Sequence, residues 1–119
     1  MTKENLPGAL VLSLDFELAW GVRDRLDPRG PYRKDLLGTR AAIPDILALF
    51  EEYRISATWA VVGFLFSISR EELERIAPKV RPRYADRALD SYSESVGENE
   101  NDDPLHFAPS LVQAIQRTP

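Results

Sequence analysis

The chain has 119 residues, room for one domain or for part of a larger one. A net charge of −4 gives no sign of a polyanion partner, so no nucleic-acid partner is expected. No cysteine is present, which excludes disulfides and thiolate metal sites and fits a reducing compartment.

Thr2-Lys3-Glu4-Asn5 is polar and lacks the apolar core of a secretory signal. The longest apolar stretch, Ala57 to Phe66, is broken by Thr58 and Gly63 and is far short of the roughly 20 residues that span a bilayer. A cytoplasmic protein without membrane association is expected.

Pro7-Gly8 introduces a first strand over Ala9 to Leu14, apolar almost throughout, as in strands covered on both faces. The run ends abruptly in Asp15 and Glu17. With side chains alternating every two residues, both acids face one way, their carboxylates roughly 6–7 Å apart at the strand's C-terminal end. At an effective dielectric of about 20 they repel by roughly 2.5 kcal/mol. Solvent, an arginine, a shared proton or a bound cation must offset this, and a cation makes the pair useful.

Residues 21–38 form a long polar connection carrying Arg23, Arg25, Arg29, Arg33 and Lys34. Thr39 then serves as an N-cap for a helix whose core stripe is Ile43, Ile46, Leu47 and Phe50, with Pro44 tolerated near its first turn. The helix is expected to stop near Tyr53-Arg54. A second strand runs from Ile55 to Val62 and closes at Gly63. Strand, helix and strand make a βαβ unit with parallel strands.

Ser69 and Glu72 fit a capping box for a short helix from Arg70 to Ala77, ended by Pro78 and Pro82. Residues 79–103 show little periodicity and, from Ser91 onward, many acids; they are expected to be a mobile loop. Pro109 opens a last helix at its first position.

The run Ser13-Leu14-Asp15-Phe16-Glu17, followed by Ile43-Pro44-Asp45-Ile46-Leu47 and by Ala57-Thr58-Trp59-Ala60-Val61-Val62-Gly63, resembles the polysaccharide deacetylases of the NodB-homology type. The likeness covers roughly residues 9–66, with a weaker continuation over 104–117. It implies an α/β fold: the N-terminal portion of a distorted (β/α) barrel of the glycoside hydrolase/deacetylase type, incomplete, with 1–119 a partial domain. It also implies hydrolysis of an amide, on a carbohydrate N-acetyl group or a small molecule. By position, Asp15 would be the general base and Glu17 a ligand of a divalent metal, zinc or similar. The family more often carries two adjacent aspartates or D-x-D. The D-x-E version looks like the branch that holds cytoplasmic amide hydrolases of small molecules.

The family's metal histidines form an H-x-x-x-H motif, and this chain has one histidine, His106. A surface or helix-capping role is expected for it. The chain is therefore expected to be inactive as it stands and to bind no metal tightly. Trp20 is a candidate substrate wall, and Arg23 could pair with Glu17 or reach an anionic substrate; Trp59 belongs to the core. Expected partners are a small-molecule or carbohydrate substrate in the complete protein.

A phosphatase of the haloacid dehalogenase type also ends a strand in D-x-D, but Glu17 and the A-T-W-A-V-V-G run argue against it. The non-enzymatic alternative is a degenerate or truncated remnant, or an interaction module. Two strands and three or four helices should leave an open sheet edge and uncovered apolar faces.

Overall fold

Ser13–Phe16 and Thr58–Val61 form strands β1 and β2, joined in parallel with Leu14 opposite Trp59 and Asp15 opposite Ala60. The computed structural model describes residues 7–118, so the polar start at 2–5 lies outside the described residues. Between the strands runs helix α1, Arg33–Tyr53. This is the βαβ order that the hydrophobic pattern predicts, and it makes the fold α/β. Helices α2, Arg70–Ile76, and α3, Pro109–Arg117, follow.

Both strands are shorter than predicted. Ile55 to Ala57 carry the chain from the end of α1 to the sheet, so β2 starts at Thr58. Ladder pairing of β1 therefore begins at Ser13, and Leu10 and Val11 stand 84% and 79% exposed ahead of it. Coverage of both sheet faces, expected from the apolar run, is also corrected. Phe16, Trp59 and Val61 join the core, whereas Ser13, Asp15, Thr58 and Ala60 are exposed.

Helix α1 begins six residues earlier than its predicted cap. Thr39 lies inside it and bonds back to the Asp35 carbonyl at 3.1 Å. An early start moves Pro44 from the first turn to the middle of the helix, where its missing N–H leaves the Arg40 carbonyl without its usual donor. Arg54, at φ 54° and ψ 45°, ends the helix as expected, and the amide of Ile55 reaches back to the Phe50 carbonyl at 2.8 Å.

Phe16, Leu18, Ile43, Leu47, Leu65, Ala108 and Val112 form the main core, which α1 and α3 close on one side of the sheet. Each large side chain buried there contributes about 1.5–3 kcal/mol. A second cluster joins Ala19, Leu36 and Leu105. The radius of gyration is 17.8 Å, against about 13.5 Å for a compact domain of this length. Large apolar side chains such as Leu10, Val11 and Val80 stand exposed.

Candidate functional site

The two acids leave β1 in different ways. Asp15 is within the ladder, on the exposed face beside Ala60, while its neighbour Phe16 is 1% exposed on the core face. Glu17 is outside the strand: at φ −129° and ψ −31° it starts a 3₁₀ turn over Leu18–Gly21. Its side chain folds back over Gly21, where an added Cβ would sit 2.8 Å from the Cβ of Glu17. Strand alternation therefore ends at Phe16 and does not govern the direction of Glu17, a correction to the period-two expectation. Among the described residues neither acid has an ion-pair partner.

The turn after Glu17 is strained and firmly held. Leu18 has φ 50°, a left-handed backbone that costs a leucine roughly 1–2 kcal/mol. Burial of its side chain compensates. The Ala19 amide donates to Leu105 O at 3.1 Å, and the Trp20 indole donates to His106 O at 3.0 Å. On the other strand, the 3₁₀ turn Gly63–Phe66 is held by the Ala108 amide, which donates to Leu65 O at 3.2 Å. Residues 105–108 thus join the turns that follow both strands.

This segment depends on charged side chains. Arg40 of α1 donates to the carbonyls of Pro104 and Phe107 at 3.1 and 3.0 Å and pairs with Glu100 at 2.5 Å. Burial acts to raise the Glu100 pKa, but hydrogen bonds from Ser110 and Arg40 outweigh it and hold the carboxyl low. Those Ser110 bonds also satisfy the first turn of α3.

His106 is fully buried, which corrects the surface or capping role expected for it. Its Nδ1 lies 2.8 Å from Asp103 Oδ2, and its ring meets the Trp20 ring edge-on at 5.1 Å. Trp20 also packs on Phe64 at 4.7 Å. Its ring nitrogen is committed to the protein, and what it offers a ligand is the ring alone.

Arg23 does not pair with Glu17. Its Nε reaches Glu94 at 2.8 Å, and its Nη2 donates to Ala88 O at 2.9 Å and Asp90 O at 2.8 Å. With its side chain only 8% exposed, this arginine anchors the 88–94 stretch. Within 79–103 the structure shows two 3₁₀ turns, Arg87–Leu89 and Ser91–Ser93, capped by Asp86 and Asp90.

Beside β1 lies a hollow of about 270 Å³, lined in part by Leu14, Asp15, Ile46 and Trp59. Its other lining residues, among them Phe16, Thr39 and Ile43, place it on the α1 side of the sheet. The metal is a different matter. Among the described residues no three His, Asp or Glu side chains are grouped so that they could hold an ion. Sequence reasoning missed Arg40, Asp103 and His106 as organisers of this end of the sheet; the i, i+3 spacing of Asp103 and His106 in an acid-rich turn was the available signal.

No family model, curated protein or solved structure matches the chain. Among the described residues no helix is long and apolar enough to cross a membrane.

Proposed function

We propose that these residues form the first βαβ unit of a metal-dependent deacetylase or amide hydrolase of the NodB type. In this reading they are the N-terminal portion of a distorted (β/α) barrel whose substrate is a carbohydrate N-acetyl group or a small amide. The carrying observation is the parallel register of Asp15 with Ala60, which sets the S-L-D-F-E and A-T-W-A-V-V-G runs side by side. The exposure of Asp15 on the open sheet face supports a role in contact with substrate.

Asp15 takes the proton of the attacking water, which requires a carboxylate within hydrogen-bond reach of that water. Glu17, offset on its 3₁₀ turn, is a carboxylate donor suited to a hard or borderline cation. Trp20 supplies an aromatic wall. Because the remaining donors are not among these residues, no catalytic step is assigned to the chain by itself.

The test is hydrolysis of N-acetylated sugars and small amides by the product of the complete reading frame, with and without added zinc. Zinc-dependent release of acetate or carboxylic acid, lowered at least about a hundredfold by Asp15→Asn, is expected. Equal rates for the two proteins would remove the base from Asp15. Failure of the zinc-loaded protein on every amide would favour the second reading, a non-catalytic interaction module. The 84% and 79% exposure of Leu10 and Val11 is the observation on that side.

A further inference from the structure

A cavity of about 450 Å³ opens between the start of α1 and the turn that precedes α3. Arg29 and Arg33 line it from the first segment, and Val96, Asp102, Asp103 and Leu105 from the second. Its size is that of sites that hold small molecules. Neither Asp15 nor Glu17 is among its lining residues, so what it does stands apart from the hydrolase reading.

The two segments are tied together at the cavity. Asp27 Oδ1 accepts the Arg29 amide at 2.9 Å, which sets the turn before α1. Arg29 Nη2 then donates across to the Ser95 carbonyl at 2.7 Å. A guanidinium held in this way is in place before any ligand arrives.

The charges around the cavity are committed unequally. Asp103 gives Oδ2 to the Gly97 amide and the His106 ring, and Oδ1 to the Leu105 amide. Asp102 Oδ2 accepts the Glu98 amide at 2.9 Å. These two acids build the turn. Arg29 and Arg33, by contrast, make no ion pair among the described residues. Nor does Arg33 serve the helix: at the first position of α1 a cation meets the positive end of the helix dipole.

Two guanidinium groups without a carboxylate, beside the apolar side chains of Val96 and Leu105, match an anion that carries a hydrocarbon body. The planar fork of an arginine takes both oxygens of a carboxylate at once. Asp102 and Asp103 limit the charge of that anion, because they repel a doubly charged phosphate more than a singly charged carboxylate. We propose that this cavity binds a small organic monocarboxylate, its carboxylate on Arg33 and Arg29 and its apolar body against Val96 and Leu105.

The probe is isovalerate, titrated into the full chain near neutral pH and at low salt while amide shifts are followed by nitrogen-15 NMR. Saturable binding is expected, with a dissociation constant of about 1 mM or tighter and with shifts centred on residues 29–33 and 96–105. Isovaleramide, the neutral isostere, and inorganic phosphate should each bind at least about tenfold more weakly. Arg33→Gln should weaken isovalerate binding at least about tenfold, and Arg33→Lys, which keeps the charge and loses the fork, by a smaller factor. The Arg33 side chain is exposed, so both variants should melt as wild type does. If Arg33→Gln fails to fold, Arg33→Lys decides, and its affinity must be below that of wild type. The proposal is overturned if isovalerate does not saturate by about 20 mM, or if the shifts lie elsewhere. Equal binding of the amide, tighter binding of phosphate, or wild-type affinity in a folded Arg33→Gln would each overturn it too.

Discussion

The Trp20 indole donates its N–H to the main-chain carbonyl of His106 at 3.0 Å, bridging 86 positions of sequence. One partner comes three residues after Glu17, the other from the turn that leads into α3. The bond fixes the exit of β1 to the far end of the chain, so the position of the acid pair depends on residues 103–108.

Trp20→Phe tests this dependence. Phenylalanine keeps most of the packing on Phe64 and removes the donor, leaving the His106 carbonyl without this partner. A loss of about 1–2 kcal/mol is expected, read as a lower urea midpoint at an unchanged m-value. An unchanged midpoint would mean that the carbonyl finds water in the variant.

Acid should loosen the same region. The Asp103 carboxyl is held at about 2, below its ordinary 3.8. A depressed folded value means that the unfolded chain takes up the proton first. The contribution of Asp103 is therefore complete above about pH 4 and is lost as pH falls toward 2. Glu100 shifts in the same direction and adds to the slope. Thermal melts between pH 5 and 2 should fall less steeply in Asp103→Asn than in wild type, even though the variant starts from a lower stability at pH 5.

Gly97 is the point at which the acidic turn closes. Its amide donates to Asp103 Oδ2 at 2.9 Å, and a Cβ there would lie 2.6 Å from the Cβ of Asp103. Neither atom is the free end of a flexible side chain, so backbone must move. Gly97→Ala should cost about 1–3 kcal/mol, visible as a lower melting temperature. If the melting temperature is unchanged, the turn is looser than this packing requires.

The sequence made the βαβ order, the Ser69 cap and the Pro109 start of α3 legible because each rests on local chemistry. The Ser69 hydroxyl does accept the Glu72 amide, at 3.2 Å. The start of α1 was not legible, since no side chain caps it and the glycine-bearing stretch 33–38 reads as loop. The acid-rich stretch was read by composition, as solvated charge. Residue by residue it is turn chemistry: Asp86, Asp90, Asn99, Asp102 and Asp103 each accept a nearby amide. Asp15 was found from its place at the end of an apolar run. The role of His106 was not, because burial of a polar ring is decided by partners distant in sequence, namely Trp20 and Glu94.

The end of α1 offers an independent check on backbone strain. Arg54 occupies the left-handed region, where a side chain with a Cβ is penalised and glycine is not. Its side chain is exposed, and among the described residues it makes no ion pair that a substitution would lose. The bonds that close the helix, Arg54 N to Glu51 O and Ile55 N to Phe50 O, use main-chain atoms that glycine retains. Arg54→Gly should therefore stabilise the fold by about 0.5–1 kcal/mol: relief of strain outweighs the greater freedom of glycine in the unfolded chain. Denaturation of the two proteins side by side decides it, and a lower midpoint for the glycine variant would mean that the arginine stem packs on α1 more than its exposure indicates.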